Sequence, residues 1–197
     1  MADLFDMVLA GKLLGSGSGD GYAPTPVLST NNGLKGYQSL SQPYFYIKDG
    51  YTIESCFMIT DTSVAARQYQ RLAEIVLNNG VLNILAFSND AFEIDINDTW
   101  QSAASMGFTI PRDVIHTAAL VVDSDMAYLY LDGELKKSVG HADLPANHIT
   151  DLYSNMGEIS NRDFLGTSYA TRFYLRPLTA DEVSNNHRLD KARFAAT

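Results

Sequence analysis

Polar and apolar positions alternate over much of the chain, most clearly across residues 116–139. Residues 117–122 are almost wholly apolar on both faces, the pattern of a strand covered on both sides. Asp123-Ser124-Asp125 interrupts the run, because short polar side chains hydrogen-bond their own backbone in turns. Over 127–131 the faces separate, with Ala127, Leu129 and Leu131 on one and Tyr128 and Tyr130 on the other. Asp132-Gly133 follows. Asp-Gly between alternating runs predicts a two-residue hairpin turn with positive φ at both positions. Leu135, Lys137 and Val139 continue the alternation on the return strand. The pattern predicts a core containing Leu120, Val122, Leu129 and Leu131.

Further strands are expected at 44–47, 51–60, 72–77, 81–87, 92–97 and 165–174, with Asn78-Asn79-Gly80 as a second hairpin turn. Residues 23–41 read as turns, with Pro24, Pro26, Asn31-Asn32-Gly33 and Gly36. Residues 62–70 read as a loop or one helical turn, 100–105 as a loop, and 143–162 as polar and irregular. One helix is announced near the end. Thr179 and Glu182 form a capping box, Leu178 and Val183 occupy the staple positions, and Pro177 precedes them. Many short strands and one terminal helix make an all-β fold, an antiparallel β-sandwich whose sheets bury their inner faces against each other.

Ahead of this domain lies a different kind of segment. Residues 2–14 are amphipathic, with Asp3 and Asp6 suited to a helix N-terminus. So short a helix is marginal alone, and Leu4, Phe5, Met7, Val8 and Leu9 are too apolar to leave in water without a partner. Residues 15–21 are a glycine–serine tether. They lack the spacing of a dinucleotide or phosphate loop. The expected layout is a helical anchor over 1–14, a linker over 15–23 and a sandwich over 24–197.

Two stretches carry a family resemblance. HTAALVVDSDMAYLYLDGELKKSV resembles the late strands of concanavalin A-like lectin/glucanase domains of the laminin-G-like branch. RFYLRPLTADEVSNNHRLDKARF is similar to that family's closing strand and terminal helix, as found in phage and prophage proteins. YTIESCFMITD is another strand of the same kind. The resemblance covers roughly residues 40 to 195 and departs at Ile115, where the family usually has Trp. It implies a jelly roll of the concanavalin A type. MADLFDMVLAGKL resembles a leader of prophage structural proteins, which implies a virion component.

Composition narrows the partners. A formal charge of −9 opposes nucleic acid or an anionic membrane, since their phosphates would be repelled. No apolar run reaches the roughly 20 residues that a membrane span needs. The one cysteine, Cys56, lies in a strand pattern and reads as an inert buried thiol. The first residues carry acids and no base before Lys12, unlike a signal peptide.

Chemistry is sparse. Glucanases of this family carry a strand of the form Glu-x-Asp-x-(x)-Glu, and retaining glycosidases need two carboxylates about 5 Å apart. Here Glu93 and Asp95 share a face, but the next residue on that face is Asn97, which donates no catalytic proton. Asp98 would serve only across a bulge. The expectation is therefore a non-enzymatic strand with its polar face outward. His116, His141, His148 and His187 lack metal-helix spacing. Asp123 with Asp125, or Asp49 with Asp61, would be the oxygen ligands if the family's calcium is present; no cofactor is otherwise expected. For stacking on sugar rings the candidates are Trp100, Tyr37, Tyr44 and Tyr169. The functional expectation is a virion attachment or decoration protein, on head or tail. It would join other virion proteins through its N-terminal segment, assemble as a homo-oligomer and contact host-surface glycans. The alternatives are a structural module with a protein interface and, behind it, a hydrolase.

Overall fold

The computed structural model describes residues 28–31, 36–39, 46–60, 70–80, 82–88, 91–96, 99–101, 110–141, 144, 147–155 and 162–194, with the side chains of 28–39, 82–84, 87–91 and 99–101 outside that description. The expected anchor over 1–14, with Leu4, Phe5, Met7, Val8 and Leu9, and the linker over 15–23 lie outside the described residues.

Two six-stranded antiparallel sheets form the sandwich. Sheet A is ordered β1 (Leu28–Asn31), β12 (Thr167–Tyr174), β3 (Tyr51–Met58), β8 (Ile115–Val122), β9 (Met126–Leu131) and β10 (Glu134–Gly140). Sheet B is ordered β2 (Gly36–Ser39), β11 (Ile149–Ser154), β4 (Gln70–Leu77), β5 (Leu82–Ser88), β6 (Ala91–Ile96) and β7 (Thr99–Gln101). The inner faces meet in one cluster that includes Ile53, Phe57, Ile75, Leu85, Ile94, Leu120, Leu129, Leu152 and Phe173. Phe57 meets Phe92 and Phe164 edge-on, at 5.8 and 5.7 Å between centroids.

The central reading holds. Leu120, Val122, Leu129 and Leu131 are all buried, and Cys56 is a buried free thiol. β8 is covered on both faces: Ala118, Leu120 and Val122 enter the main core, while Ala119 and Val121 join Tyr130, Tyr174, Leu178 and Val183 on the other side. That second cluster lies beneath helix α1 (Ala180–Phe194). The helix begins as its cap dictates. Thr179 N–H donates to Glu182 Oε2 at 2.9 Å, and Glu182 N–H donates to Thr179 Oγ1 at 3.3 Å. At the β9–β10 turn, Asp132 and Gly133 have φ of 55° and 78°, as a type I′ turn requires. A Cβ at Gly133 would lie 3.1 Å from Ser184 Cα, so this turn also abuts the helix. The 78–80 turn is of the longer kind: Gly80 N–H returns to the Leu77 carbonyl at 2.8 Å, and Gly80 alone is left-handed there.

The pattern failed where strands are short or bulged. Residues 143–162 are not wholly irregular, since β11 lies between β2 and β4 in sheet B. A register shift between Ile149 and Asp151 breaks its alternation, so Ile149 and Leu152 both reach the core three positions apart. The 100–105 loop and the 23–41 turn region likewise contain β7, β1 and β2, three or four residues each and too short for a period to show. In the expected 44–47 strand, Tyr46 makes a bridge with His148. β10 slips register between Leu135 and Lys137, and Leu135 is 52% exposed rather than continuing an inward row.

Candidate functional site

The outer face of sheet B carries charge where the outer face of sheet A carries a helix. Pairing sets one row across six strands: Tyr37, Tyr153, Glu74, Ile84, Asp95 and Trp100, each opposite the next. At about 4.8 Å per strand this row spans about 24 Å. The adjacent row is Arg71, Ala86 and Glu93.

Arg71 reaches this face because β4 is irregular. In a regular strand, residues three apart point to opposite sides. Here the register shifts between Arg71 and Ala73, and Leu72 and Ala73 both turn into the core. Arg71 and Glu74 are thereby brought together, and Arg71 Nε donates to Glu74 Oε2 at 3.0 Å. Burial pulls the Arg71 guanidinium below its ordinary pKa, while the Glu74 charge opposes the shift. The Arg71 N–H donates to the Arg162 carbonyl at 2.6 Å, and Arg71 forms a parallel bridge with Asp163. This ties the 162–164 segment to the strand's start.

Glu93 and Asp95 do share a face, as their spacing required, but that face is not turned to water. They are 6% and 3% exposed. The outward-facing expectation is thus corrected: a polar residue in an alternating strand marks the side away from the main core, not contact with solvent. Burial, and after it the Asp95 charge, pushes the Tyr51 phenol well above its ordinary range. Asn97 and Asp98 lie outside the described residues.

The aromatic candidates divide. Tyr37 and Trp100 occupy opposite ends of one row on sheet B. Tyr169 belongs to sheet A, where a register shift between Ser168 and Ala170 turns Tyr169 and Ala170 to the same side. Its ring lies 5.2 Å from that of Phe194 of α1. Tyr44 lies outside the described residues. Arg71, Glu74 and Tyr153 were not anticipated. Tyr153 fell in a segment read as irregular, Arg71 lay just before the strand read from residue 72, and Glu74 lay inside that strand without being singled out.

Asp123 serves its turn. Its Oδ1 accepts the N–H groups of Asp125 and Met126 at 3.1 and 2.8 Å, and these hydrogen bonds hold its carboxyl below the usual range despite desolvation. Asp125 accepts from the Ser124 hydroxyl at 3.1 Å. His116 braces the next turn: Nδ1 lies 2.8 Å from Asp132 Oδ2 and Nε2 lies 3.0 Å from the Pro111 carbonyl. Asp132 Oδ1 also accepts the Thr117 N–H at 3.0 Å. Among the described residues, no group of three or more His, Cys, Asp or Glu is placed to hold a metal ion.

Comparison with known proteins places the fold. Part of the Trypanosoma rangeli sialidase in complex with 2,3-difluorosialic acid superposes with a TM-score of 0.63 at 13% identity, over 87% of this chain and 28% of that one. The chain therefore spans little more than a quarter of that enzyme. The CBM40 of the Ruminococcus gnavus IT-sialidase, bound to alpha2,3 sialyllactose, superposes at 0.57 with 16% identity, over 83% of this chain and all of that one. The binding domain of botulinum neurotoxin serotype G gives 0.55 at 15% identity, over 83% of this chain and 42% of that one. No curated protein sequence matches. A laminin-G family model, described as concanavalin A-like lectin/glucanases superfamily, matches residues 31–184. With that span matched and a two-sheet lectin-like sandwich observed, the chain belongs to the concanavalin A-like lectin/glucanase superfamily.

Proposed function

We propose that the chain is a non-catalytic attachment protein of a phage virion, whose sandwich contacts host-surface glycans at the two edges of sheet B, around β2 and β7. The observation that carries this reading is the row from Tyr37 to Trp100, with aromatics at both ends and buried acids between them. Aromatic faces stack on apolar sugar faces, and the two ends of the row stand about 24 Å apart, so the proposed contacts are its ends and not its sealed middle. The family match and the likeness to a sialyllactose-bound module support the sugar. The leader-like N-terminal segment supports the virion, where it would join other virion proteins and bring copies together.

The same row argues against hydrolysis. A general acid and a nucleophile must both reach the glycosidic bond. Glu93 and Asp95 are sealed from solvent, so they act as scaffold beneath the face. Contact falls to the aromatic ends.

A glycan array probed with the full chain tests the proposal. Binding to a defined set of oligosaccharides is expected, weakened roughly tenfold or more by Trp100→Ala or Tyr37→Ala through lost stacking. Glu93→Gln should leave that binding intact, and no reducing sugar should be released from a β-glucan. An array without signal would favour a purely structural module with a protein interface. Sugar release abolished by Glu93→Gln would make the chain a hydrolase.

A further inference from the structure

Among the described residues, the seat of the C-terminal helix sets one cation, Arg172, against two acids, Glu54 and Asp190. Arg172 of β12 donates through Nη1 to Asp190 Oδ2 at 3.0 Å and through Nη2 to Asp190 Oδ1, a two-pronged pair that uses both arms of the guanidinium. Glu54 of β3 faces the same guanidinium at 3.8 Å, beyond hydrogen-bond reach. Its Oε2 accepts from Asn186 Nδ2 of α1 at 2.8 Å, and its Oε1 has no hydrogen-bond partner among the described residues. Glu54, Asn186 and Asp190 are fully buried, and Arg172 and Tyr174 nearly so.

Among the described residues, the Tyr174 hydroxyl also hydrogen-bonds Glu54. Asn186 Nδ2 also donates to the Tyr174 hydroxyl at 3.2 Å. From β8, Ala119 stands opposite Glu54 in the ladder and the Thr117 hydroxyl donates to Asp190 Oδ2 at 3.4 Å. Cys56 lies two residues along β3 with its thiol neutral, pushed up by burial. Farther along the seam stand His187 of α1, Asp132 of the β9–β10 turn and His116 of β8. Asp190 thus takes the guanidinium, and an ionised Glu54 would be a second buried anion with one oxygen unpaired, which a sealed site tolerates poorly.

We propose that Glu54 carries a proton while the helix is seated, so that the helix seat is a proton-dependent clamp, firm in acid and weakened when Glu54 ionises. Burial, helped by the Asp190 charge, lifts the Glu54 carboxyl from 4.5 to about 7, with Arg172 and the hydrogen bonds of Asn186 and Tyr174 pulling the other way. A carboxyl raised in the folded state binds its proton more tightly there than in the unfolded chain. Its stabilising share is therefore complete below 4.5, is lost as pH rises to about 7, and is constant beyond. His187 runs in opposition: burial pulls it below 6.5, so its share is lost as pH falls through that region.

Urea denaturation of the full chain and of Glu54→Gln, from about pH 5 to about pH 8, separates the two because His187 is common to both. The wild-type unfolding constant should rise with pH by up to on the order of 10²-fold relative to the variant. Parallel pH curves overturn the proposal. Carbon-13 titration of the Glu54 carboxyl in the wild type is the second arm and does not depend on the variant folding. A midpoint near neutrality is expected, and a midpoint in the ordinary glutamate range overturns it.

Discussion

Each outer face buries an arginine against a carboxylate, and the two pairs do different work. On sheet A, Arg172 comes from β12 and Asp190 from α1, so the pair crosses an interface and fixes one element on another. On sheet B, Arg71 and Glu74 come from one strand, joined only because a bulge sets them side by side. The first pair seats a helix. The second fixes the conformation of the strand beneath a face. Identical chemistry thus acts as a clamp or as a floor depending on whether its partners share an element. A buried charge is evidence of function only once the elements it joins are known.

That contrast can be broken by mutation, the largest effect first. Asp190→Ala strips Arg172 of its buried partner and should cost about 3–5 kcal/mol in urea denaturation. Amide exchange should show α1 losing protection before the sandwich does. Glu74→Ala should leave α1 protected; equal loss of helix protection would erase the distinction. Leu129→Ala opens a cavity in the core both sheets share. It should cost about 2–5 kcal/mol with both sheets losing protection together. Thr179→Ala removes the helix cap and should cost about 1 kcal/mol, again confined to α1. Glu182 belongs to the same cap, where Arg176 first and the Thr179 N–H after it hold its carboxyl down to about 2. Its share is lost as pH falls below 4.5 toward that value. The smallest effect is expected from chelation. Asp123 Oδ1 already accepts two backbone N–H groups, so excess EDTA should leave the unfolding midpoint unchanged. A fall in that midpoint would show a bound cation.

The sheet A face was the more legible of the two in sequence. Its strands β3, β8 and β12 are eight residues long, β8 is apolar on both sides, and the capping box and Asp-Gly turn are local signals that need no tertiary information. Among the described residues both sheets slip register twice, but on sheet B the slips fall on β4 and β11, the two strands that join the row's ends. The bulges at Arg71 and at Ile149 shift alternation by one residue, which misplaces every side chain read beyond them. Tyr37 and Trp100 were legible as aromatic residues, but the row that relates them exists only through pairing with β11 and β6. Glu93 and Asp95 were read correctly as sharing a face. That this face is sealed depends on what covers it, which strand periodicity does not encode.

The central claim is that sheet B carries the binding face and sheet A the structural one. The most direct test is to titrate the full chain, labelled for amide NMR, with the oligosaccharide that binds best on the array. Shifts should concentrate on β2, β11, β6 and β7, around Tyr37, Tyr153, Asp95 and Trp100, and leave α1 and β12 still. Shifts centred on α1, Tyr169 and the β9–β10 turn would contradict the account.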